Sequence, residues 1–239
     1  TEFRHFIDGA FTEGTTGKSF ENRRPDDGTL VGRVAEGGKA EVDAAVQAAR
    51  YESLGQEFAR RFTTADKLQF FRAPGRTELC GNHTDHQKGR VLAAAVEDDI
   101  AAAAAKNGTN TAHLYSPEYG EFSVNLDCLT PQTGEAGTSA ALVRGVAARM
   151  SELGHAIGGF DACLSSRVPA GSGLSSSAAF EVLIANLLGH LFGDGIEAVD
   201  AAKIGQFSEN RYFEKPCGLM DQLASSVGGL CMMDFKEEE

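Results

Sequence analysis

Twelve residues at 169–180, "PAGSGLSSSAAF", constrain this chain more than any other stretch. A proline, spaced glycines and three consecutive serines, all poor helix formers, run directly into the apolar segment "EVLIANLLGHLF". Gly171 and Gly173 admit backbone conformations closed to residues with a Cβ. A helix amino-terminus leaves N–H groups without partners and carries partial positive charge, so a loop that exposes it offers its amides to a small anion. The apolar half anchors that loop in a core. A serine-capped buried helix is the plain alternative, yet Pro169 with two spaced glycines describes an extended cradle rather than a one-residue cap. No lysine of the Walker pattern is present, so the positive charge for a phosphate has to come from elsewhere.

Composition narrows the partners. At 239 residues with 42% hydrophobic and 23% charged residues, the chain reads as one large globular domain or two small ones. A net charge of -12, with "FKEEE" at the end, argues against a nucleic-acid groove. No stretch is apolar enough for long enough to span a bilayer, and "TEFRHFIDGAF" lacks a signal pattern, so no membrane partner and a cytoplasmic location are expected. Five widely spaced cysteines without a C-x-x-C pair read as buried free thiols rather than disulfides or a zinc site.

Along the chain, "FIDGAFTEG" reads as a hairpin about Asp8-Gly9, followed by turn signals at Pro25, Asp27-Gly28 and Gly37-Gly38. "KAEVDAAVQAAR" reads as an alanine-rich helix, and a second helical period covers "YESLGQEFARRFTT". "LQFFRAPG" reads as a short strand entering a loop, while "RVLAAAV" and "IAAAAAKN" are expected to pair as two strands. A hairpin from "TAHLYS" and "EFSVNL", a helix over 137–154 and a strand at "FDACLSSRV" follow. Helices over 177–192, 196–213 and 219–226 precede a closing strand, "GGLCMMDF". Mixed rather than regularly alternating elements point to an α+β fold.

Three of these segments carry a family likeness. "PAGSGLSSSAAFEV" resembles the second motif of the GHMP small-molecule kinases. "RAPGRTELCGNHTDHQKGRVLAAAV" (72–96) resembles the galactokinase signature within that superfamily, and "GLMDQLASSVGG" (218–229) its catalytic aspartate segment. The likeness covers residues 51–239 and implies a GHMP kinase amino-terminal lobe, a mixed sheet packed by helices. Residues 1–50 instead resemble the amino-terminal edge of aldehyde dehydrogenases, forming a hairpin and helix extension to which no chemistry attaches.

The resemblance implies ATP and Mg2+ as cofactors and a small sugar as substrate, with the γ-phosphoryl group passing to the C1 hydroxyl of galactose. Asp221 would orient that hydroxyl and receive its proton, and Arg76 would keep Asp221 ionised and stabilise developing charge. Gly171, Ser172, Gly173, Leu174, Ser175, Ser176 and Ser177 would hold the ATP phosphates. Glu209 and a hydroxyl from Ser176 or Ser177 would ligate magnesium, the choice between the serines being open. Asn82, His83, Asp85 and Gly218 would face the sugar, and Asn82 stands where the commonest family pattern has Glu. The His83/His86 spacing lacks the partners of a zinc site.

Chains of the family continue into a second lobe with a third glycine-rich motif, and after "CMMDF" only Lys236 and three glutamates are present here. Weak turnover of this exact chain and an exposed apolar face are therefore expected. Rival readings are a sugar sensor of the same ancestry, another GHMP kinase, and an aldehyde dehydrogenase fragment. "SSSAA" counts against the first, and "GNHTDH" favours a sugar over isoprenoid or amino-acid alcohols.

Overall fold

The computed structural model describes residues 2–3, 5–7, 10–12, 17–24, 27–35, 39–64 and 66–236. The chain divides into two compact units, residues 1–56 and 57–239.

In the first unit, β1 (Glu2–Phe3) pairs in parallel with β5 (Leu30–Ala35), and β4 (Ser19–Arg23) pairs antiparallel with β5 on its other side. The expected hairpin is represented by β2 (His5–Ile7) and β3 (Ala10–Thr12), with Phe6 opposite Phe11, while its turn residues 8 and 9 lie outside the described residues. So do Pro25, Gly37 and Gly38. The turn at Asp27-Gly28 forms, Asp27 Oδ1 accepting the Thr29 N–H at 2.8 Å. The two helical segments read at 39–50 and 51–64 are one continuous helix, α1 (Lys39–Arg61), because its 23 residues contain no proline and only one glycine.

The second unit is a six-stranded mixed sheet packed by helices, as expected for α+β. Its strands are β6 (Gln69–Cys80), β7 (Arg90–Lys106), β8 (Thr111–Ser116), β9 (Gly120–Asn125), β10 (Phe160–Ser166) and β11 (Leu230–Asp234). The order is β11-β7-β10-β8-β9, with β6 also on β7; β10 and β8 run parallel and the other pairs antiparallel. The alternating burial of β8 fits an inner strand with one face on the core and the other half-covered.

Two strand expectations are corrected. "RVLAAAV" and "IAAAAAKN" do not pair with each other; they are the two halves of the 17-residue β7. Its first half pairs with β11, its second with β10, and β6 runs along its opposite side. Ala101–Ala105 are fully buried, so the alanine run serves close packing rather than a helix. "LQFFRAPG" does not enter a loop after Gly75. β6 continues through Arg76 to Cys80, with register shifts after Pro74 and Glu78 that accommodate the proline.

Helices α2 (Ser139–Glu152), α3 (Ser176–Phe192), α4 (Ala198–Arg211) and α5 (Met220–Val227) follow the sequence expectation to within a turn. α3 is the central one: Leu183, Ile184, Leu187 and Leu188 are fully buried. Each such side chain contributes roughly 1.5–3 kcal/mol on removal from water. That packing seats α3 against β6, α4 and α5.

All five cysteines are free, but only Cys163 is buried; Cys80 and Cys128 are exposed, which corrects the expectation of uniformly buried thiols. On β11, Leu230 and Met232 point outward at 67% and 73% exposure, while Met233 turns into the core. Among the described residues no helix is long and apolar enough to cross a membrane.

Candidate active site

Arg76 reaches the loop from β6. Its backbone N–H donates to the Leu174 carbonyl at 3.0 Å, tying strand and loop together. Its guanidinium, nearly buried, donates from Nε to Asp221 Oδ1 at 2.7 Å and from Nη2 to Oδ2 at 2.6 Å. A third bond runs from Nη1 to the Gly173 carbonyl at 2.5 Å. This planar fork fixes both partners in orientation.

Asp221 lies in the first turn of α5, where its charge also suits the helix dipole. Burial alone raises its pKa, but the hydrogen bonds from Arg76 and Ser175 and the charge of Arg76 outweigh it and hold the carboxyl below its usual range.

Ser175 occupies the N-cap of α3 in the left-handed region (φ 57, ψ 62), yet its side chain makes no capping bond. Its hydroxyl donates to Asp221 Oδ2 instead. A left-handed non-glycine costs about 1 kcal/mol or more. The first turn of α3 is left without a side-chain cap, the arrangement an incoming anion needs. Gly171 (φ 73) and Gly173 (φ 81) supply the conformations that fold the loop over this terminus, and Ser172 Oγ braces it by donating to the Pro169 carbonyl at 2.7 Å.

These groups line one cleft of about 630 Å³, shared by Gly171, Ser172, Gly173, Ser175, Ser176, Ser177, Arg76, Asp221, His83, Asp85 and Gly218. Leu174 and Asn82 are not brought to its wall. Leu174 packs against the core and presents its carbonyl to Arg76, because the loop must be anchored somewhere. Asn82 sits exposed in a left-handed turn (φ 60).

Asp85 is held in a 3-10 turn (Thr84–Gln87), its side chain 5% exposed, with Oδ2 accepting the Met220 N–H at 3.1 Å. Gly218 is required there: a Cβ would stand 1.8 Å from Asp85 Oδ2. His83 is gripped by Glu78, whose carboxylate accepts the His83 backbone N–H at 2.9 Å and lies 3.1 Å from Nε2.

Glu209 ends α4 almost fully buried. Ser177 Oγ and Lys215 Nζ both donate to its Oε1 at 2.8 Å, and Gln222 Nε2 donates to Oε2 at 2.8 Å. Ser177, rather than Ser176, is thus the serine beside Glu209. One carboxylate with one hydroxyl is a hard-oxygen pair that fits magnesium completed by phosphate and water oxygens, and a cation, the Lys215 ammonium, already rests on it. Behind it, Gln222 also donates to Glu181 Oε2 at 3.0 Å. Glu181 is fully enclosed; desolvation, reinforced by the charge of Glu209, pushes its pKa well above the carboxylate range.

A second, apolar cleft of about 250 Å³ is lined by Ile100, Tyr119, Phe122, Leu142, Leu164 and Phe180, and shares Ser176 and Ser177 with the first. Sequence reasoning missed this cleft, Glu78, Lys215, Gln222 and Glu181. Their only available signal was Lys215, a cation six residues from Glu209.

Comparison with known proteins places this geometry. Residues 141–229 match the family described as GHMP kinases N terminal domain. The mevalonate kinase of Methanococcus jannaschii, 15% identical, shares the fold with a TM-score of 0.59 over 73% of this chain and 56% of its own. The second unit has a GHMP kinase amino-terminal fold. More narrowly, residues 56–106 match the galactokinase galactose-binding signature. The galactokinase of Bacillus subtilis is 34% identical over 181 residues, 74% of this chain and 46% of that protein. The Lactococcus lactis galactokinase, solved in complex with galactose, superposes with a TM-score of 0.73 at 28% identity over 78% of this chain and 50% of its own. Residues 57–239 are therefore similar to the amino-terminal portion of the galactokinases of the GHMP kinase superfamily. The chain spans about half the length of the relatives it matches. Neither family model reaches residues 1–55, so the aldehyde dehydrogenase likeness of that segment gains no support.

Proposed function

We propose that residues 57–239 supply the nucleotide- and sugar-binding half of an ATP-dependent galactokinase that phosphorylates the C1 hydroxyl of galactose. The observation that carries this reading is the Arg76–Asp221 fork, tied through Gly173 and Ser175 to an uncapped helix terminus. A carboxylate, a guanidinium and a phosphate cradle are thereby held within one cleft.

In this reading the amides of 171–177 bind the β- and γ-phosphates, and the apolar cleft beside Ser176 and Ser177 takes the base. Asp85, steadied by the Met220 N–H, accepts hydrogen bonds from sugar hydroxyls, and His83 borders them. Ser177 and Glu209 would hold magnesium, which neutralises phosphate charge when bound. The reaction forms the bond from the sugar oxygen to phosphorus and breaks that from phosphorus to the bridging oxygen of the diphosphate. Because its pKa is depressed, Asp221 is a weak base at the outset; it orients the hydroxyl and receives the proton late, as the sugar oxygen bonds to phosphorus. The other compact unit, residues 1–56, is given no part in this chemistry.

Turnover by residues 1–239 alone is expected to be weak, with water free to enter the cleft. The test is therefore made on the chain joined to the carboxy-terminal half of a galactokinase relative, measuring ATP consumption against a panel of hexoses. Galactose-dependent consumption that Asp221→Ala abolishes is expected. Sugar-independent ATP loss, or activity that survives Asp221→Ala, defeats the mechanism.

A further inference from the structure

The cradle at 169–177 contains no lysine or arginine, and every nitrogen of the Arg76 guanidinium is engaged by Asp221 or Gly173. Lys215 is the one ammonium lining the cleft among the described residues. It is placed there by a built turn. Glu214 takes a left-handed conformation (φ 61) as the chain leaves α4, and the Lys215 N–H donates back to the Glu209 carbonyl at 3.1 Å. The side chain then folds over so that Nζ shares Glu209 Oε1 with the Ser177 hydroxyl. Its partner carboxylate is 2% exposed, whereas the lysine side chain is 58% exposed and free to swing on a four-carbon stem.

We propose that Lys215 is a tethered counter-ion: without ligand its ammonium occupies the cation position on the Ser177–Glu209 pair, and a divalent cation displaces it toward a phosphate oxygen. This rests on the metal and phosphate reading of the cleft. Two cations held against Oε1 at contact distance repel one another, so metal binding favours displacement of the ammonium. The displaced charge stays within the same cleft, where the loop has none of its own.

The test titrates Mn2+ into the 239-residue chain without nucleotide, reading free Mn2+ by its electron paramagnetic resonance signal, and separately titrates ADP at saturating Mn2+. Lys215→Met is expected to bind Mn2+ roughly fivefold more tightly and ADP at saturating Mn2+ roughly fivefold more weakly, the scale of a half-exposed ion pair. Lys203→Met, an exposed α4 lysine outside the cleft, controls for net charge and should change neither. Unchanged or weaker Mn2+ binding by Lys215→Met overturns the proposal, as does an equal gain from Lys203→Met. Glu209→Gln separates the two readings. If it leaves Mn2+ binding intact, the metal assignment falls and takes the inference with it; if it abolishes binding while Lys215→Met has no effect, only the inference falls.

Discussion

Replacing Arg76 by methionine removes three side-chain hydrogen bonds at once, two to Asp221 and one to the Gly173 carbonyl, and leaves a carboxylate that is only 19% exposed without its counter-ion. Breaking a buried pair from one side costs about 3–5 kcal/mol, and the partial exposure of Asp221 puts the expected loss near the lower end, about 3 kcal/mol at neutral pH. The sign of the pH dependence is fixed by the two states of Asp221. With Arg76 present its pKa is depressed below 3.8, so the pair stabilises the fold above that value and the contribution is lost as pH falls through the lower folded pKa. Without Arg76, burial raises the pKa, so stability instead declines as pH rises through the range above 3.8. The gap between wild type and Arg76→Met should therefore be largest at pH 7 and shrink in acid. The chain has no tryptophan, so urea unfolding is best followed by far-ultraviolet circular dichroism at both pH values. Adding Asp221→Asn should recover part of the loss, giving a coupling energy of about 2 kcal/mol or more in the double-mutant cycle. A loss at neutral pH below about 1 kcal/mol, or a loss that persists undiminished in acid, would refute the argument that this pair is buried and mutually dependent.

Gly218→Ala should push the Asp85 carboxylate out of place, since the new Cβ would stand 1.8 Å from Oδ2, and galactose affinity measured calorimetrically should fall by at least about tenfold. Equal affinity would mean Asp85 does not hold the sugar. Glu181→Gln should leave the fold as stable as wild type or more so, with the advantage growing as pH rises above the ordinary Glu value of 4.5. The reason is that a raised folded pKa makes the wild-type carboxyl lose stability over that interval. Parallel stability-against-pH curves for the two would show that Glu181 is ionised in the fold. Asp221→Asn in the chain joined to a second half should lose turnover by at least about a hundredfold while retaining nucleotide binding by calorimetry; loss of binding alone would assign Asp221 a structural part.

The portions legible in the sequence are those whose physics is local. The 169–177 stretch is legible as a loop running into a buried helix, because spaced glycines and serines precede an apolar run, and α2 to α5 follow from helical periodicity and glycine stops. The roles of Arg76, Asp221 and Glu209 came from family likeness; by themselves an arginine after Pro-Gly and two helical acids carry no signal. β7 reads as two pairing strands, its alanines favouring helix if anything, and only the pairing with β6, β10 and β11 shows one continuous strand. β6 was cut short because Pro74-Gly75 reads as a loop, whereas a register shift lets a strand pass through it. Glu181, Gln222 and Lys215 were illegible for another reason. Each acquires its meaning through Glu209, and the contact that joins Glu181 to Gln222 spans 41 residues of sequence. Glu78 is a similar case, a strand acid distinguished only by the turn that brings His83 onto it.

The most direct test of the whole account follows backbone amide signals of the isotope-labelled chain by nuclear magnetic resonance, during titration first with Mg-ADP and then with galactose. The expected result is that Mg-ADP moves the amides of Gly171 through Ser177 together with those lining the apolar cleft, and that galactose moves those around Asp85 and Gly218. Nucleotide shifts confined to surfaces away from the 169–177 loop, or none at saturating Mg-ADP, would contradict the claim that this helix terminus is built to receive phosphate.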